Sequence, residues 1–180
     1  MDTEVYSNTG GQASKSTPLA AVAKFANAGK QVNKKDLAMQ AIAYGNVYVA
    51  RVAMGANPQQ TLHAMREAEA YNGPSIILAY SHCIAHGIDM EQGLQQQIRA
   101  VHSGYWPLVR YNPELRKSGE NPFLLDSARP TLKLRDFSER ELRFLTLKQT
   151  NPAHVEEMGK EAQRAIDERW KQYEQMARVK

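Results

Sequence analysis

The chain has 180 residues, 42% of them hydrophobic and 23% charged, with a formal net charge of +4. That length buries a sizeable core, and the composition excludes a disordered or collagen-like chain. No apolar run approaches the about 18 residues of a membrane span, the basic residues are dispersed rather than gathered beside aromatics, and Cys83 is the lone cysteine.

These features point to a soluble protein of a reducing compartment, with no nucleic-acid or membrane partner. Met1 to Glu4 are polar and acidic, unlike a secretory signal or a transit peptide, so the expected location is cytoplasmic. In chain order, the opening stretch DTEVYSNTGGQASKSTP (Asp2–Pro18) reads as a polar loop. Thr3, Ser7, Asn8 and Thr9 offer short oxygen groups, and Gly10 and Gly11 permit unusual backbone conformations. A phosphate or a hydrated cation asks for that combination, although an ordinary surface loop has it too.

PLAAVAKFANAG (Pro18–Gly29) predicts a short helix with Pro at its first position and Gly past its end. Lys34–Gly45 predicts a second helix, and the β-branched run Asn46–Met54 a strand. Asn57-Pro58 starts a helix through Ala70. Ile76, Ile77 and Leu78 are consecutive, which predicts a strand buried on both faces. SHCIAHGIDM is irregular, and a helix follows from about Met90 to His102. YWPLVRYNP reads as a strand that Pro107 places near an edge or an end, and NPFLLDS as one more short strand. The alternation argues for an α/β fold, a mainly parallel sheet with flanking helices. Val155, Met158, Ala162, Ile166, Trp170, Tyr173 and Ala177 then step by three or four. They form one apolar stripe on a long C-terminal helix, packed on its own domain or docked as an arm on another part of a larger protein.

Cys83, just past a strand, stands where α/β proteins place ligands. It reads as a metal ligand, as a nucleophile with His82 or His86, or as an inert buried thiol. His82 and His86 are four apart, but Gly87 follows at once and no helix is evident. There is no nucleophile elbow, P-loop or dinucleotide fingerprint.

Three stretches, DTEVYSNTGGQASKSTPLAAVAKFANAGK, YVARVAMGANPQQTLHAMREAEAYNGPSIILAYSHCIAHGI and GYWPLVRYNPELRKSGENPFLLDS, closely resemble, in order, the C-terminal part of the pyruvate:ferredoxin (flavodoxin) oxidoreductases. The helical end is similar to the tail of their long, nitrogen-fixation-associated form. The resemblance implies an incomplete thiamine diphosphate-binding domain over residues 1–135 and a helical tail over 136–180. It implies oxidative decarboxylation of pyruvate to acetyl-CoA and CO2, with electrons passing through 4Fe–4S clusters to ferredoxin or flavodoxin. The implied partners are the remaining domains of the parent enzyme, coenzyme A, pyruvate and, in the parent, a second copy in a homodimer.

Residue by residue, Thr3 matches the hydroxyl ligand and Val5 the carbonyl ligand of the magnesium ion that holds the diphosphate. Asn8 matches an amide facing the thiazolium side, the implied catalytic position. Glu4, Tyr6 and Ser7 complete the cofactor wall, and Cys83 matches the last cysteine of the cluster nearest the thiamine. The family's Gly-Asp-Gly half-motif and the other cluster cysteines have no counterpart here, so the expectation is a segment of a longer enzyme. The alternatives are a folded segment without activity of its own, and a hydrolase using Cys83 with His82 or His86.

Overall fold

The computed structural model describes residues 1–178. At its centre lies a strand, Tyr48–Val52, whose five residues are all buried. Alternation along it sorts the two layers of the domain. Tyr48, Ala50 and Val52 face Ala64 of a helix spanning Pro58–Ala70, while Val49 faces Ala38, Ala41 and Ile42 of a helix spanning Leu37–Ile42. Among the described residues six strands and seven α-helices run in chain order as β1 Val5–Tyr6, β2 Gln12–Ala13, α1 Leu37–Ile42, β3 Tyr48–Val52, α2 Pro58–Ala70, β4 Ser75–Ala79, α3 Gly93–His102, β5 Val109–Tyr111, β6 Phe123–Leu125, α4 Leu134–Ser138, α5 Leu142–Leu145, α6 Leu147–Thr150 and α7 Val155–Arg178. Asn57 starts α2 as expected: its side chain accepts the Gln60 N–H, and Pro58 follows at a position that needs no donor.

The α/β class is as the sequence reads, but the four-stranded sheet, ordered β4-β3-β5-β6, is mixed rather than mainly parallel. β3 pairs in parallel with β4, Tyr48 opposite Ser75 and Val52 opposite Ala79. It pairs antiparallel with β5, and β5 antiparallel with β6. The cause lies in the turn after α3. Trp106 is buried, and its indole N–H donates to the Val52 carbonyl at 3.1 Å, so the chain enters β5 from the carboxyl end of β3 and must run back along it. Pro107 stands two residues before β5, where its missing N–H breaks no ladder bond; it marks a strand end, and β5 is interior.

Two further expectations change. Pro18–Gly29 is not a helix. Ala20, Phe25 and Gly29 have φ of 69°, 67° and 84°, which no right-handed helix accepts. The backbone groups bond across the chain instead, Ala13 N–H to Lys24 O, Ala20 N–H to Lys30 O and Val22 N–H to Arg143 O. Tertiary pairing overrides the helical propensity of an alanine-rich run. β4 is an outer strand of the sheet, with Ser75 and Ile76 exposed and Ile77 and Leu78 half-buried, so its apolar run is not covered on both faces. Beyond it, Asp2 alone pairs, in parallel with Tyr80; the Asp2 N–H donates to Ala79 O and the Ser81 N–H to Asp2 O.

The apolar stripe of α7 packs on this same domain. Met158 meets Ala20 and Leu147; Ala162 and Ile166 join Tyr105, Trp106 and Phe137; Tyr173 joins Val49, Val109 and Phe123. One helix thus closes three parts of the core. Ile166→Ala should cost about 2–5 kcal/mol, as large-to-small core changes do, and exposed Leu62→Ala under about 1 kcal/mol. Urea unfolding compares them, and equal costs would remove α7 from the core.

Candidate functional site

The polar opening stretch folds into one tight turn. Thr3 Oγ1 donates to the Val5 carbonyl at 3.0 Å and lies 3.4 Å from Ser7 Oγ. Ser7–Thr9 form a single 3-10 turn closed by Gly10, and β1 pairs back on β2 with Val5 opposite Ala13. Gly10 and Gly11 have φ of 101° and 86°, which explains why the stretch needs them. Thr3, Val5 and Ser7 are half-buried, Tyr6 and Asn8 exposed. Of the six residues the sequence singles out here, Thr3, Val5 and Ser7 bring an oxygen each to one turn, and Tyr6 and Asn8 stand exposed beside them.

Glu4 points the other way. Its φ is 63°, its side chain has no exposure, and it ends in a buried set of charged and polar groups. Tyr105 OH lies 2.8 and 2.7 Å from its two oxygens, Arg143 Nη2 donates to it at 2.8 Å, and Lys34 Nζ stands 3.3 Å away. Lys34 also pairs with Asp2 at 2.6 Å, and Arg143 Nε donates to Glu141, which accepts from Gln96 as well. The Glu4 N–H is taken by Asp2 Oδ1 and its carbonyl by the Thr17 hydroxyl. Burial by itself would raise the Glu4 carboxyl; Lys34 and Arg143 overcome it and draw the pKa down from 4.5 to about 2. Burial raises Glu141 against the pull of Arg143.

Cys83 and His86 share the next turn. Cys83, half-buried, caps the 3-10 turn Ile84–His86, its sulfur accepting the Ala85 N–H at 3.4 Å. His86 is fully buried and its Nε2 lies 2.6 Å from the Thr3 carbonyl, so that nitrogen carries the proton and donates. His82 bonds Gln97 through Nδ1. Neither imidazole is hydrogen-bonded to Cys83, which leaves a thiol–imidazole pair without geometry. Among the described residues no group of three or more His, Cys, Asp or Glu is placed to hold a metal. A magnesium ion asks for oxygens instead. Ligands on adjacent corners of its octahedron, each about 2.0–2.1 Å from the metal, lie about 2.9 Å apart, and Thr3 Oγ1 and Val5 O have nearly that separation. The pair fits; one cysteine supplies a single cluster ligand, and the rest must come from elsewhere.

Sequence reasoning missed Arg143, Tyr105, Glu141 and Lys34. They are far apart in the chain and share no spacing rule; only the fold brings them to Glu4.

The turn lies at the carboxyl end of an α/β sheet with a thiol on a neighbouring loop, and the proteins that the chain matches by sequence are oxidoreductases. No family model matches the chain. It is 54% identical over 177 residues to the pyruvate-flavodoxin oxidoreductase of Nostoc, and 50% identical over 177 residues to the pyruvate:ferredoxin oxidoreductase of Moorella thermoacetica, with 98% of the chain covered in both. It is 47% identical over 178 residues to a mitochondrial NADP+-linked pyruvate dehydrogenase of Euglena gracilis. Over 98% of its own length the chain matches pyruvate:ferredoxin (flavodoxin) oxidoreductases, and it spans about 15% of the length of the first two relatives. No helix among the described residues is long and apolar enough to cross a membrane.

His86 is lowered by burial and by Arg143 from 6.5 to about 4. A group whose folded pKa is depressed stabilises the fold above its unfolded value and loses that contribution as pH falls through the folded one. Stability should therefore fall first between about pH 6.5 and 4 through His86, then between 4.5 and 2 through Glu4. Thermal unfolding against pH should show the first limb flattened in His86→Gln. An unchanged slope would mean that His86 titrates alike in folded and unfolded chains.

Proposed function

We propose that this chain is the part of a pyruvate-oxidising enzyme that closes a thiamine diphosphate site and supplies one ligand to the neighbouring 4Fe–4S cluster. The observation that carries the reading is the 3.0 Å juxtaposition of Thr3 Oγ1 and Val5 O, at the two positions that match the family's magnesium ligands. Thr3 and Val5 hold the ion, Tyr6 and Ser7 form the wall, and exposed Asn8 presents its amide to the reacting side. Glu4 acts from beneath, fixing the turn. When bound, thiamine diphosphate supplies the electron sink for decarboxylation; this chain's part is to seat and orient it. Cys83, on the turn that His86 ties to Thr3, would be one thiolate ligand of the cluster, which when bound would take up the electrons leaving the thiamine.

Pyruvate and coenzyme A are the substrates, ferredoxin or flavodoxin the acceptor, and the other domains of a cytoplasmic, homodimeric enzyme complete the site. The tail over 136–180 belongs to the same unit and braces the turn through Arg143. By itself the chain is a folded segment without turnover, because the family's Gly-Asp-Gly half-motif and the other cluster cysteines have no counterpart in it.

In the complete enzyme, Thr3→Val should weaken magnesium-dependent thiamine diphosphate binding about tenfold or more, and Ser16→Ala should leave it nearly unchanged. Underfilling the cation costs more than removing a half-buried hydroxyl outside the turn. Titration calorimetry decides, and equal losses would detach Thr3 from the metal. Cys83→Ala in the same enzyme should remove one cluster and leave any others, lowering ferredoxin reduction far more than decarboxylation. Iron content and electron paramagnetic resonance of the reduced protein read this directly. Full iron and an unchanged spectrum would return Cys83 to the role of an inert thiol.

A further inference from the structure

We propose that Arg143 is a positioning residue for the Thr3–Val5 turn, a role that rests on the reading of that turn as a cofactor seat. Glu4 is the hinge of the argument. Its backbone is left-handed without being glycine, a conformation that persists only where the surroundings over-determine it. The reversal at Glu4 is what folds Val5 O back against Thr3 Oγ1, so the spacing of the two oxygens depends on keeping Glu4 where it is.

The side chain of Glu4 is the anchor, and Arg143 is its one cation with no competing claim from the turn. Lys34 stands farther off, at 3.3 Å, and is shared with Asp2 at 2.6 Å. Tyr105 is neutral. Arg143 meets Glu4 at 2.8 Å with its own side chain 2% exposed, and it is itself braced. Glu141 accepts from its Nε, the Phe144 ring lies 5.0 Å from its guanidinium, and its carbonyl accepts the Val22 N–H. The arginine is thus fixed to α5 and to the irregular segment before α1, and through Glu4 it fixes the turn. Removing it leaves a buried carboxylate underpaired, which favours withdrawal of Glu4 toward water and relaxation of its backbone.

Amide hydrogen exchange of the whole chain by nuclear magnetic resonance tests this. In Arg143→Met, the bonded amides of Asp2, Glu4, Gly11 and Ala13 should exchange at least tenfold faster, while Val49, Ala50 and Arg51 in β3 keep their rates. Arg143→Lys should recover most of the protection, because it returns a cation to the same place. Unchanged rates over residues 2–13, or the same acceleration in β3 as in the turn, would overturn the proposal. If Arg143→Met does not fold, the triple variant Glu4→Gln, Glu141→Gln, Arg143→Met leaves neither buried carboxylate without its cation. Fast exchange is still expected over residues 2–13 there, and wild-type protection would overturn the assignment. The complete enzyme separates this from the cofactor reading, because the exchange pattern needs no metal whereas Thr3→Val weakens magnesium-dependent thiamine diphosphate binding only if Thr3 holds the ion. The exchange pattern above together with unweakened binding in Thr3→Val sinks the metal assignment and keeps Arg143 as the residue that holds the turn.

Discussion

The ion pair between Glu4 and Arg143 is the constraint on which the rest of the polar end depends. A carboxylate with no exposure is tolerated only with partners, and the loss of one partner from a buried pair costs more than the pair gains in net terms. Here the partners come from scattered parts of the chain. Lys34 precedes α1, Tyr105 follows α3, Arg143 lies in α5, and each must arrive within hydrogen-bonding range for Glu4 to stay buried. The charge therefore specifies a single arrangement of segments that apolar contacts alone would hold less uniquely. His86 adds a second tie by donating to the Thr3 carbonyl, so the turn that carries Cys83 and the turn that gathers oxygens are held in one register.

The mixed sheet serves the same end. Parallel pairing of β3 with β4 brings both carboxyl ends to one side, where Tyr80, Ser81 and the Cys83 turn emerge. The buried Trp106 indole caps that side by bonding Val52 O, and the Arg51 guanidinium lies 4.2 Å from its ring centroid. Asp2 joins the sheet beside Tyr80, which delivers Thr3 to the same rim. Thr3 and Cys83 thus stand near the carboxyl ends of the strands, the side on which open α/β sheets take ligands.

Much of this was legible in the sequence, unevenly. The strands centred on Val49, Ile77, Arg110 and Leu124, the helix after Asn57-Pro58 and the stripe of α7 follow from periodicity and capping, which are local. The turn at Thr3–Asn8 was readable from its hydroxyls and glycines, and the metal chemistry proposed for it rests on resemblance. Pro18–Gly29 misled because composition favours a helix while its backbone partners lie elsewhere, on Lys30 and Arg143. β4 misled because a run of three apolar residues looks the same at a sheet's edge as in its middle. Glu4 was read as a wall of the cofactor site, since nothing in DTEVYSN says which way an acidic side chain points. The left-handed backbone that turns it inward is set by groups more than a hundred residues away.

That distance has a consequence for how the protein acquires its shape. Glu4 and Arg143 are 139 positions apart, and Tyr173 reaches back 137 positions to Asp36 at 2.5 Å. Contacts of such span close large loops, whose entropy must be overcome before the contacts reward it, and chains built on them fold slowly. During synthesis the Glu4 turn leaves the ribosome well before α5, and it stays unfastened until α5 has followed it out. A segment made early is thus finished late, and throughout that interval an acidic side chain destined for the interior remains in water.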